Sequence, residues 1–166
     1  MEIRPAALLG GSYRVRRAER DDVGPIVRLL LADTPSSPSD PPGVHPLEPY
    51  LRAYEAIAAD PANFLAAVED PAGKIAGTLQ LTLIPCLAVG GATRLQVEAV
   101  HVRAGLRSNG LGAAMMDWAV AEGRRNGATL VQLTSNARRE SAHRFYRRLG
   151  FEASHLGFKR ALPPLP

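Results

Sequence analysis

The sequence predicts an α/β fold of the mixed α+β type: a central sheet of six to seven strands flanked by about four helices. Three observations carry that expectation. Short apolar runs alternate through the middle of the chain around an Asp-Pro-Ala-Gly turn at 70–73, which implies an antiparallel meander. An amphipathic helical stretch at 109–125 then separates two apolar strands, and a strand-helix-strand unit demands a parallel pair with a right-handed crossover. Finally, 166 residues with 46% hydrophobic side chains can bury a sizeable core unaided.

The elements follow in order. Residues 1–11 are expected to be an N-terminal tail and 12–166 one domain. Tyr13 to Arg17 alternates as a short strand. Glu19 to Ala32 reads as a helix, with Val23, Ile26, Val27, Leu30 and Leu31 on one stripe and acids at 19, 21 and 22 at its positive end. Six prolines between Asp33 and Pro49 mark a long loop, of a length that suggests a binding or lid segment. Tyr50 to Ala59 resumes a helix. Asn63 to Glu69, Lys74 to Ile84 and Thr93 to Val102 are the meander strands. Asn109 to Arg125 is a helix faced by Leu111, Ala114, Met115, Trp118 and Ala119, and Asn126-Gly127 ends it. Ala128 to Thr134 is a strand, Arg139 to Leu149 a helix closed by Gly150, and Phe151 to Ala161 a final strand or two.

Composition narrows the function. The single cysteine, Cys86, excludes a disulfide framework, and no apolar run approaches the ~20 residues of a membrane span. A soluble, cytoplasmic protein is expected. The net charge of +4 is unevenly placed: residues 94–148 hold ten arginines against four acids, a net +6, while the remainder is −2. That asymmetry favours an anionic partner for the C-terminal half, although solvated helix surfaces account for part of it. Nucleic acid is a weak candidate, because helix-turn-helix, zinc and interleaved aromatic patterns are all missing. Metal binding has little support, since His45, His101, His143 and His155 show no ligand spacing.

Arg107-Ser108-Asn109-Gly110-Leu111-Gly112 lies between a strand and a helix, where unpaired first-turn N–H groups and the helix dipole can hold a phosphate. A P-loop would need Lys and Ser or Thr where Ala113 and Ala114 stand. A dinucleotide fingerprint would need glycine at Met115 and an acid near Gln132 to Ser135. The pattern Arg-x-x-Gly-x-Gly instead resembles the acyl-CoA pyrophosphate motif of the GCN5-related N-acetyltransferase (GNAT) superfamily. Val97 to Val102 is similar to the strand before that motif, and Leu130 to Asn136 followed by Ala142 to Phe151 is similar to the family's later strand and its Ala-x-x-Phe-Tyr-x-x-x-Gly-Phe segment. About 90% of the chain, from Tyr13 onward, can be laid on the family's order of elements.

The resemblance implies a GNAT-like fold and an acetyl-CoA-dependent N-acetyltransferase, passing an acetyl group directly to a primary amine of a small molecule or amino terminus in a ternary complex. A non-catalytic acyl-CoA-binding regulatory module is the alternative. Acetyl-CoA is the acyl-donor cosubstrate, with no metal. Glu98 is the expected base, acting through a water and lifted toward usefulness by burial; strand parity places it with Gln96, Val100 and Val102, and His101 on the opposite face. Tyr146 is the expected acid for the departing thiolate. The Val100 N–H, at a bulge, is the expected oxyanion donor, and the pantetheine amides are expected along the backbone of Val100, His101 and Val102. Arg107 with the N–H groups of Ser108, Asn109, Gly110, Leu111 and Gly112 would hold the pyrophosphate, and Asn136 the pantetheine arm. Arg138, Arg139 and Arg144 are candidates for the adenosine phosphate. Asp33, Asp40, His45 and Glu48, with Tyr50 or Tyr54, are candidates to receive a cationic amine. Neither nucleic acid nor membrane is expected as a partner, and a homodimer is left open.

Overall fold

The computed structural model describes residues 1–32 and 46–162. Its six-stranded sheet has the order β1-β2-β3-β4-β5-β6, built from β1 (Ala6–Leu8), β2 (Tyr13–Arg17), β3 (Asn63–Glu69), β4 (Ile75–Pro85), β5 (Thr93–Val102) and β6 (Leu130–Leu133). Neighbours are antiparallel up to β5, and β5 pairs with β6 in parallel. The helices are α1 (Val23–Leu31), α2 (Glu48–Ala59), the single turn α3 (Ala88–Gly91), α4 (Leu111–Arg125) and α5 (Glu140–Arg148). Two compact units result: Met1–Leu133 holds the whole sheet, and the unit from Thr134 carries α5.

The mixed α/β class and the meander are as expected, with two differences. Ala6–Leu8 is an edge strand on β2, too short to show a period. Phe151 to Ala161 forms no strand. Its apolar residues, at 151, 153, 156, 158 and 161, break the spacing of two after 153 and again after 158, Gly157 weakens strand preference, and Leu156 and Phe158 are exposed.

One sheet face packs on α4. Phe64, Leu79, Leu81, Leu95 and Val97 are fully buried there against Leu111, Met115 and Trp118, and the Phe64 and Trp118 rings stand 5.9 Å apart. Gly123 permits the close approach, since a Cβ at that position would lie 2.9 Å from Leu95 Cδ2. The other face is shared by α1 and α2, with Ala18, Ile26 and Ala67 buried among Leu30, Tyr54, Leu65 and Ile75.

A charged cluster locks β2 to the start of α1. Arg16 donates from Nη1 and Nη2 to Asp22 at 2.6 and 3.0 Å and from Nε to Glu69 at 2.8 Å. Asp22 also accepts from the Glu19 N–H at 2.7 Å. All three charged side chains are largely buried.

Candidate functional site

The turn leaving β5 is anchored before it is shaped. Arg103 donates through its N–H to Ala76 at 2.8 Å, and its guanidinium reaches Asp70 at 2.5 Å. These bonds tie the end of β5 to the β3–β4 hairpin. A 3-10 turn follows at Ala104–Leu106, and Arg107 folds back so that Nε donates to the Val102 carbonyl at 3.0 Å. Ser108 and Gly110 then take positive φ, 65° and 82°, and α4 begins at Leu111.

Among the described residues no side chain caps α4, and its first turn holds no acid. The residues from Arg107 to Gly110 are exposed. Backbone donors and the positive end of a 15-residue helix therefore face outward together, an arrangement able to hold an anion. The motif residues Arg107 to Gly112 are brought into one turn.

β5 itself is interrupted. The register with β4 shifts between Thr78 and Gln80: Glu98 lies opposite Gln80 and His101 opposite Thr78, so β5 carries one extra residue. Ala99, at φ 53°, makes the bulge. Opposed residues share a face, so Glu98 and His101 are on the same side of the sheet, and the parity that separated them is corrected by the bulge. Glu98 is exposed, contrary to the expected burial, while His101 is half-buried with Nδ1 enclosed and unpartnered. The parallel ladder to β6 stops at Val97↔Leu133. Among the described residues, β5 has no ladder partner on that edge from Glu98 to Val102, which leaves backbone groups of Val100 to Val102 for an extended ligand.

In the second unit, Tyr146 lies on α5 with Phe145 and Phe151 rings edge-on at 5.1 and 6.0 Å. Burial pushes the phenol above its ordinary value, and Arg139 opposes this in part. Asn136 forms the turn before α5: its side-chain oxygen accepts from the Arg138 N–H at 2.9 Å, and its carbonyl accepts from Arg139 N–H and His143 Nε2–H. That is an Asx turn.

Of the acceptor candidates, Asp33, Asp40 and His45 lie outside the described residues. Glu48 is exposed at the start of α2, and Tyr54 is committed to packing, its hydroxyl donating to Ala18 at 3.3 Å. Among the described residues no group of His, Cys, Asp and Glu is arranged to hold a metal ion.

The model of the acetyltransferase (GNAT) family matches residues 27–151, which take in the bulged strand, the glycine turn and α5. The chain belongs to the GNAT family. Aminoalkylphosphonate N-acetyltransferase of Salmonella typhimurium is 37% identical over 67 residues, 40% of this chain and 44% of that protein. The alignment thus takes in less than half of that relative's own length. Among solved structures, a transcriptional regulator from Bacillus halodurans C-125 superposes with a TM-score of 0.78 at 31% identity, over 89% of this chain and 98% of its own. A predicted acetyltransferase from Clostridium acetobutylicum, solved with acetyl-CoA, has a TM-score of 0.67 over 89% of this chain and 96% of its own; at 17% identity it speaks for the fold.

GNAT proteins use acetyl-CoA, and the turn at Gly110 gives a direct test of where its phosphates go. A side chain at Gly110 would meet only Leu9 Cδ2 at 3.8 Å, so space is not the constraint. The positive φ is, at roughly 1–2 kcal/mol for an L-residue. Gly110→Val is therefore expected to cost a few degrees of Tm yet raise KM for acetyl-CoA at least tenfold, as steady-state kinetics would read. An unchanged KM would move the phosphates elsewhere.

Proposed function

We propose that this GNAT protein is an N-acetyltransferase, carrying an acetyl group from acetyl-CoA directly to a primary amine of a small molecule or an amino terminus within a ternary complex. The observation that carries the reading is the Arg107-to-Gly112 turn at the start of α4, beside a bulged β5 whose ladder to β6 ends at Val97 among the described residues. Phosphates would rest on the backbone N–H groups of Ser108 to Gly112, with Arg107 beside them. The pantetheine amides would extend the free edge at Val100, His101 and Val102, bringing the thioester to the bulge. There the Val100 N–H would stabilise the tetrahedral oxyanion.

Glu98 takes the role of base through a water. Its exposure suits a relay between solvent and amine rather than a desolvated carboxylate in direct contact. Tyr146 supplies a second proton: the neutral amine loses one proton through the water to Glu98, the carbonyl carbon gains an N–C bond and loses its C–S bond, and the phenol protonates the departing thiolate. Exchange with solvent then takes the proton from Glu98 and reprotonates the phenolate. A phenol held above its ordinary pKa by burial stays protonated at neutral pH, as that step needs. Asn136 is proposed to offer its amide N–H₂ to the pantetheine arm, since its oxygen is already used by the turn. The Salmonella relative, by its name an N-acetyltransferase of aminoalkylphosphonates, supports a small alkylamine as acceptor.

Free thiol release from acetyl-CoA, followed across a panel of primary amines, tests the reading. Turnover with at least one amine is expected. A second reading is favoured by the Bacillus halodurans structure, described as a transcriptional regulator: a module that binds acyl-CoA without turning it over. Tight acetyl-CoA binding with no thiol release from any amine would select it.

A further inference from the structure

Arg94 has no part in the acetyl-transfer reading. It lies at the start of β5, and because the bulge comes only at Ala99, residues 94, 96 and 98 alternate onto a single face. Arg94 thus shares the side of the sheet that carries Glu98. Among the described residues its Nε is enclosed without a hydrogen-bond partner, and its Nη1 has only the neutral Gln132 Oε1, at 3.5 Å. Gln132 in turn donates to Gln96 Oε1 at 2.8 Å.

The contrast with the other half-buried arginines is informative. Arg16 has Asp22 and Glu69, and Arg103 has Asp70, whereas no carboxylate among the described residues pairs with Arg94. Withdrawing a guanidinium partly from water without a counter-charge is costly, and an arriving anion removes that cost. The two neighbouring amides can turn N–H₂ groups toward it.

We propose that Arg94, with Gln96 and Gln132, is the anion-binding end of the acceptor subsite, and that the acceptor is a primary amine bearing a carboxylate or a phosphate-type group. This rests on the acetyl-transfer reading, since it takes the amine to lie by Glu98. Four residue rises separate the two positions, ~13 Å at the backbone, and the Arg94 side chain shortens the span left to the ligand. A short ω-amino acid or ω-aminoalkyl phosphate fits; a long polyamine has a cation where Arg94 stands.

The test compares γ-aminobutyrate, an ω-aminoalkyl phosphate and a neutral ω-amino alcohol of the same chain length, with acetyl-CoA and the full chain. Both anionic acceptors are expected to exceed the alcohol at least about tenfold in kcat/KM, the scale of a charge-assisted hydrogen bond. Arg94→Gln should bring that ratio near one, and Arg94→Lys should keep part of it, because the charge stays and the fork is lost. Binding of the aminoalkyl phosphate, measured by calorimetry without acetyl-CoA, should weaken about tenfold in Arg94→Gln at unchanged Tm. Equal use of the alcohol by the unaltered chain, or a ratio and a binding constant that Arg94→Gln leaves alone, would overturn the proposal. Binding that depends on Arg94 while no amine is acetylated would keep the anion subsite and end the transfer reading. Acetylation indifferent to Arg94 would do the reverse.

Discussion

Replacing Arg16 by methionine is expected to destabilise the folded protein by about 3–5 kcal/mol. The methionine retains the aliphatic stem, so packing is largely kept. What is lost is the guanidinium that answers both Asp22 and Glu69, whose side chains are 13% and 16% exposed. Asp22 would be left partly buried without a counter-charge, and Glu69 with only the largely exposed Arg14 at 4.0 Å. For a chain of this size the loss corresponds to a fall in Tm on the order of 10 °C. The pH dependence separates charge from packing. Burial alone would push the Asp22 carboxyl up, but the hydrogen bonds from Arg16 and from the Glu19 N–H outweigh it and hold the group below its ordinary value. A depressed folded pKa adds stability that is present above the unfolded value, near ~3.9, and is lost as pH falls through the folded one. The gap between the unaltered protein and Arg16→Met should therefore be full at pH 7 and narrow below about pH 4. Urea unfolding at both pH values measures it. A gap under about 1 kcal/mol at pH 7 would show that the cluster only breaks even against an apolar side chain.

That cluster was invisible in the sequence, because Arg16, Asp22 and Glu69 meet only once β2 and β3 pair. The elements themselves were legible where a period ran long enough. The stripe through Leu111, Met115, Trp118 and Ala119 located α4, and Asp-Pro-Ala-Gly located the β3–β4 turn. Legibility failed at two kinds of place. Ala6–Leu8 has too few residues to show alternation, and Phe151 to Ala161 has apolar residues without a strand's spacing. A bulge was expected beside Val100, but its effect on strand parity was not. Alanine carries no sign that it will adopt φ 53°, and one extra residue reverses the facing of everything after it. Hence His101 lies on the side of Glu98. Separately, Arg94, half-buried and without a carboxylate partner among the described residues, could not be told from the other nine arginines of its segment. The glycine turn was readable because its requirement is local: glycines, an arginine and a helix start, all within six residues.

Tyr146→Phe is expected to lower kcat by about 100-fold or more while leaving KM for acetyl-CoA nearly unchanged. The ring contacts with Phe145 and Phe151 at 5.1 and 6.0 Å survive the substitution, so α5 should keep its packing. Only the hydroxyl goes, and among the described residues that hydroxyl has no hydrogen-bond partner whose loss would disturb the fold. A purely structural tyrosine would thus be nearly silent in this variant. The rate of a step needing a proton donor would not be. The pH profile sharpens the distinction. Burial is the larger influence on this phenol and raises its pKa, with Arg139 opposing, so the acid form persists past the ordinary tyrosine value near ~10. If Tyr146 donates the proton, kcat of the unaltered protein should hold through neutral pH and decline only as pH rises through that elevated value. The phenylalanine variant has no group to lose there, and its low rate should lack the same decline. A Tyr146→Phe variant that matches the original rate would assign Tyr146 to packing and leave the thiolate to be protonated by water.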